Sequence, residues 1–144
     1  MTGLWVLLGA VIVAGAIGFW LRSREGRISS AAARPTDSAA ALPEPVRAAL
    51  DPQARITLVQ ISTTFCAPCR HAKALLSQLA DTTEGLRHVE LDVTQTPEVA
   101  ADLGVLRTPT TLALTPAGAE LLRIGGVPKR AELLDALRPH LAPA

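Results

Sequence analysis

Cysteine is nearly missing from this chain: its 144 residues include two, Cys66 and Cys69. So few thiols exclude a cysteine-ligated iron–sulfur cluster, and two cysteines set so close cannot staple a fold. A structural zinc site is excluded with them. Tetrahedral zinc draws on two such pairs, and His71, two residues past Cys69, would point around a helix rather than at the metal. Covalent haem needs a histidine directly after the second cysteine, and Arg70 stands there instead. Aromatic residues make up only 3% of the chain, and tyrosine is absent. Charge of one sign is lacking too: residues 53–144 carry nine Lys or Arg against nine Asp or Glu. Without a basic stripe interleaved with aromatics, nucleic acid is not an expected partner. No internal repeat divides the chain, which has room for one domain and some residues besides.

Charge is also absent from Gly3–Leu21, a run of 19 residues. As a helix it would rise roughly 28 Å, close to the thickness of a bilayer's hydrocarbon core. Trp5 stands near one end and Phe19 and Trp20 at the other, where amphipathic rings suit the headgroup level. A cleaved secretory signal would carry a basic leader and a shorter apolar core. Here Ala31-Ala32-Ala33 resembles a cleavage site, but Arg22, Arg24 and Arg27 separate it from the apolar run. A buried helix would need a larger domain around it. The expectation is a membrane anchor over residues 1–21, contacting the bilayer through residues 3–21. Ala10, Ala14 and Gly18 recur at four-residue spacing, a weak hint of helix pairing that leaves the oligomeric state open.

Residues 22–45 are rich in Ala, Ser, Arg and Pro without periodicity, which predicts a flexible tether, extended in outline over residues 22–52. Beyond it, strand and helix signals alternate over residues 53–144. Residues 56–61 (I-T-L-V-Q-I) read as a strand covered on both faces. A helix opening at Pro68 carries Cys69, Ala72, Leu76 and Leu79 at helical spacing. Val89, Leu91 and Val93 alternate in a second strand. Thr96-Pro97-Glu98 opens a short helix that Gly104 stops. Residues 110–115 and 120–124 flank Pro116-Ala117-Gly118 as a hairpin. A last helix from about Pro128 carries Leu133, Leu134, Leu137 and Leu141. The order β-α-β-α-β-β-α predicts an α/β sheet with a parallel crossover and an antiparallel hairpin.

The cysteines fall at the junction of the first strand and its helix, in Phe65-Cys66-Ala67-Pro68-Cys69-Arg70. A thiol at a helix N-terminus is stabilised as thiolate by the dipole and the unpaired N–H groups. Cys66 is therefore the expected nucleophile. Cys69, one turn in and on the buried side, is placed to resolve a mixed disulfide. Pro68 restricts the loop between them and tunes its redox poise.

These residues resemble the thioredoxin superfamily, over about the last 90 residues. The likeness rests on F-C-A-P-C-R after an apolar strand, on Arg107-Thr108-Pro109-Thr110 before the hairpin, and on Ile124-Gly125-Gly126 after the last strand. It implies a thioredoxin-like fold, a cis Pro109 beside the cysteines, and a substrate groove. Thr108 and Gly125 would border that groove. Phe65 takes the place of the family's tryptophan, and Ala67 lies within the redox loop. It also implies no metal and no cofactor beyond the redox-active disulfide. Partners would be protein disulfides and an upstream dithiol donor. One departure is chemical: the family's buried Asp on the preceding strand is here Gln60, which cannot ionise, leaving His88 or Glu90 as candidate bases.

The expectation is thus a membrane-tethered protein thiol–disulfide oxidoreductase acting as a reductase. An outward-facing oxidase or isomerase and a non-catalytic redox sensor or scaffold are the alternatives. Arg22, Arg24 and Arg27 follow the span while no basic side chain precedes it, which favours the cytoplasmic face for the redox domain.

Overall fold

The computed structural model describes residues 2–23, 26–30 and 41–142. In chain order the elements are α1 (Thr2–Arg22), β1 (Arg27–Ser30), α2 (Glu44–Ala48), β2 (Ile56–Ser62), α3 (Ala67–Thr82), β3 (Leu86–Asp92), α4 (Pro97–Asp102), β4 (Thr110–Leu114), β5 (Glu120–Gly125) and α5 (Arg130–Leu141).

The apolar run at 56–61 becomes β2, buried along its whole length. It lies parallel to β3, with α3 as the crossover, and antiparallel to β4. The β4–β5 hairpin then leads to β1, giving the order β1-β5-β4-β2-β3. Because side chains alternate along a strand, β2 feeds two cores. Ile56 and Leu58 meet Ala72, Leu76 and Leu79 of α3 and Leu133 and Leu137 of α5. Val59 and Ile61 meet Val99 and Leu103 beside α4, and Leu42 and Val46 at α2. Each such Leu, Ile or Val contributes about 1.5–3 kcal/mol when fully removed from water. The strand that leads into the cysteines is thereby fixed from both sides.

Two elements correct the expectation of an unstructured segment at 22–52. Arg27–Ser30 pairs antiparallel with β5, with Arg27 opposite Gly125 and Ile28 opposite Ile124. Four residues with one large apolar side chain give no sequence period, so only the free edge of β5 makes this a strand. Glu44–Ala48 forms a helix with Pro43 at its N-cap and Pro45 in its first turn. Val46 and Leu42 cover the second face of the sheet. Within the expected tether, Arg24, Glu25 and residues 31–40 lie outside the described residues.

Helix α1 exposes its apolar side chains, Trp5, Phe19 and Trp20 among them. It is long and apolar enough to cross a membrane, a test of length and composition that a signal sequence near an N-terminus also passes.

Candidate active site

The site grows from the end of β2. Cys66 caps α3 in an extended conformation, and its Sγ accepts the Cys69 amide N–H at 3.2 Å. Pro68 stands in the helix's first turn, where an N–H would have no intrahelical acceptor. Cys69 falls on the same stripe as Ala72, Leu76 and Leu79, so it is buried, whereas Cys66 sits half-buried at the rim. The two sulfurs are joined as a disulfide. Only one sulfur of the pair can be approached from outside.

The approach to Cys66 is held from β3. The Thr64 N–H donates to Thr94 Oγ1 at 2.9 Å, and the Thr64 hydroxyl donates to Asp92. The Thr94 side-chain and backbone hydrogen bonds hold the Asp92 carboxyl below the usual carboxylate range. Phe65, next in the chain, is 97% exposed, and Leu106 across the site is 98% exposed. Both apolar side chains stand almost wholly in water, Phe65 directly before Cys66 and Leu106 two residues before Thr108.

The opposite wall is the segment before β4. The Thr108–Pro109 bond is cis. The Pro109 carbonyl accepts the Gly126 N–H at 2.7 Å, which ties it to the end of β5. Ala67, Pro68, Thr108, Pro109 and Gly126 line one concavity of about 470 Å³. Gly125 lies beneath Arg107: a Cβ there would come 2.7 Å from Arg107 Nη2. The sequence marked Arg107 only as the first residue of the Arg107–Thr110 motif, with no role of its own, and Leu106 not at all. Their only signal was position, immediately before the Thr-Pro pair.

Behind the cysteines, Gln60 is fully buried and points toward α3. Its Nε2 donates to the Cys69 carbonyl at 2.9 Å, and its Oε1 meets His88 Nε2 at 3.1 Å. His88 Nδ1 in turn meets Ser77 Oγ at 3.0 Å. With Gln60 oriented this way, His88 donates from Nε2, and its Nδ1 accepts the Ser77 hydroxyl as a neutral ring. Burial pushes the His88 pKa down, and Lys73 adds to this, while Glu90 opposes it. Glu90 itself pairs with Lys73 at 2.6 Å and leaves Gln60 to His88. Of the two candidate bases, then, His88 alone joins the chain of hydrogen bonds that ends at Cys69. His71 and His140 are exposed. Among the described residues, no group of three or more His, Cys, Asp or Glu is arranged to hold a metal ion.

His88 carries a prediction. A histidine whose folded pKa lies below 6.5 binds fewer protons than the unfolded chain just under that value. Its contribution is therefore complete above pH 6.5 and is lost as pH falls from there through the lowered folded value. His88→Leu also strands Gln60 Oε1, a cost of about 1–3 kcal/mol. Denaturant unfolding should show wild type exceeding this variant by more at about pH 7.5 than at about pH 5. A gap independent of pH would contradict the arrangement.

A parallel–antiparallel sheet with helices on both faces, and a cysteine pair at the start of the helix that follows the interior strand β2, defines a thiol–disulfide redox fold. The chain belongs to the thioredoxin family: the family model described as Thioredoxin matches residues 43–139. That range begins at α2. The chain is 36% identical over 83 residues to the SPbeta prophage-derived thioredoxin-like protein YosR of Bacillus subtilis, covering 56% of this chain and 98% of that one. It is 33% identical over 75 residues to Thioredoxin H2 of Arabidopsis thaliana, covering 52% of this chain and spanning only 56% of that relative's length. Among solved structures it is similar to Fasciola hepatica thioredoxin, with a TM-score of 0.53 and 25% identity, over 62% of this chain and 84% of that one. Thiol–disulfide oxidoreductase activity goes with this membership.

Proposed function

We propose that this protein is a membrane-tethered protein-disulfide reductase. The carrying observation is the unequal exposure of the two sulfurs: Cys66 at the rim as N-cap of α3, Cys69 buried one turn in. In the reduced form, the Cys66 thiolate attacks a substrate disulfide. A Cys66–substrate S–S bond forms, and the first substrate sulfur leaves and takes up a proton. Cys69 then loses its proton and attacks Cys66 Sγ. The internal disulfide forms, and the second substrate thiol departs. Two electrons and two protons pass to the substrate, and an upstream dithiol donor restores the pair. Phe65, Ala67, Pro68, Thr108, Pro109 and Gly125 shape the groove in which the substrate chain lies. No cofactor takes part.

In this proposal Gly3–Leu21 is the anchor. β1 begins six residues after Leu21, so the start of the sheet lies within about 22 Å of the span's end. Such a domain works on substrates close to the bilayer. The arginines that follow the span favour the cytoplasmic face, where reduced thiols and a dithiol supply are at hand.

Nucleophile order tests the mechanism. In the reduced full chain near neutral pH, iodoacetamide should modify Cys66 at least about tenfold faster than Cys69, read by peptide mass mapping. Equal rates, or a faster Cys69, would reverse the assigned roles.

A further inference from the structure

The charge around the groove is lopsided in a way that the redox chemistry does not require. Residues 53–144 balance nine cationic against nine acidic side chains. Yet three concavities meet around the segment before Pro109, and Arg107 lines all three while no Asp or Glu lines any of them. One also contains Pro68 and Pro109. Another, of about 430 Å³, adds Arg27 and Arg123. Arg123 is already committed, to both Glu120 carboxylate oxygens at 2.7 and 2.8 Å and to the Leu103 carbonyl. Arg107 and Arg27 have no acidic partner among the described residues.

Their placement is built into the sheet. Arg107 lies back over Gly125, with Nη2 2.7 Å and Nε 3.2 Å from where a Cβ would stand, so glycine there leaves room for the guanidinium. The β1–β5 register sets Arg27 opposite the same Gly125. Two exposed guanidinium residues thus meet at one end of β5, next to the carbonyl tie between Pro109 and Gly126. The nearby Asp92 carboxylate is engaged by Thr64 and Thr94.

We infer that Arg107, assisted by Arg27, is a specificity determinant that selects polypeptide disulfides carrying carboxylates beside the reactive cysteine. This rests on the disulfide-exchange reading above. A guanidinium presents paired donors that match a carboxylate, and a concave rim of one sign concentrates the opposite charge. A substrate chain lying along Thr108 and Pro109 passes Arg107 before its sulfur reaches Cys66. An Asp or Glu there gains a charge-assisted contact, and a Lys or Arg meets repulsion.

The test uses the full chain in detergent with dithiothreitol as electron source. Its probes are three intermolecular disulfide-linked peptides that differ only in Asp, Asn or Lys next to the cysteine. The readout is the ratio of kcat/KM between peptides within each protein, so a general loss of folding or activity cancels. Wild type should favour the Asp over the Lys peptide by about tenfold at low salt, with the preference shrinking as ionic strength rises past about 0.3 M. Arg107→Ser should bring the ratio near unity, Arg107→Glu should invert it, and Arg27→Ser should lower it by a smaller factor. Equal rates in wild type, or a preference that survives Arg107→Ser, would overturn the inference while leaving disulfide exchange in place. Failure of wild type to reduce any of the three peptides faster than dithiothreitol alone would overturn the exchange reading and this inference with it.

Discussion

Cys69→Ser is expected to hold substrate proteins as mixed disulfides on Cys66, while Cys66→Ser captures none and loses turnover by about a thousandfold or more. The asymmetry follows from where α3 puts each sulfur. Cys66 precedes the helix and sits half-buried at the rim, so an external disulfide reaches it in line. Cys69 is only 2% exposed, and its natural target is Cys66 Sγ alone. Removing Cys69 leaves the first exchange intact and deletes the second, so the covalent intermediate persists. Removing Cys66 deletes the first, and the buried thiol cannot substitute for it. Non-reducing electrophoresis of the two variants, expressed as full chains, reads the difference. Adducts on both variants, or on Cys66→Ser alone, would mean that α3 does not set the order of attack.

Deleting residues 2–21 should move the protein wholly from the membrane pellet to the supernatant after alkaline carbonate extraction. The segment holds ten Leu, Ile, Val and Phe residues and no charge. At about −0.3 to −0.6 kcal/mol each near the centre of a span, these favour insertion by about 3–6 kcal/mol in all. Among the described residues nothing buries them, since the Gly3–Leu21 span is 0% buried. Side is a separate expectation. Glu84 is exposed at the turn between α3 and β3. Glu84→Cys in a Cys66→Ser/Cys69→Ser background should resist a membrane-impermeant maleimide on intact cells and react after lysis. Strong labelling before lysis would place the redox domain outside. A wild-type chain in the carbonate supernatant would remove the anchor altogether.

Much of the sheet was readable because its strands have to be apolar. The run at 56–61 lies between two cores, and the position of Cys66 after it follows from that strand's end. What escaped notice was held by partners distant in sequence. β1 has one large apolar residue and is a strand because β5 offers it an edge. α2 is five residues long, and Val46 and Leu42 gain meaning only from the sheet face they cover. Gln60 stood out as polar within an apolar run, which implies a buried partner. Choosing His88 over Glu90 as that partner required the parallel β2–β3 pairing and the side-chain contacts across it. Arg107 gave no local signal beyond its place before the Thr-Pro pair, because its significance comes from a glycine 18 residues later.

Reduction of insulin by dithiothreitol, followed as turbidity with catalytic amounts of the full chain, tests the central claim most directly. A cycling Cys66–Cys69 pair predicts a shortened lag that scales with protein concentration and disappears in Cys66→Ser. A lag equal to that of dithiothreitol alone, with the protein folded and its disulfide reduced, would contradict the account.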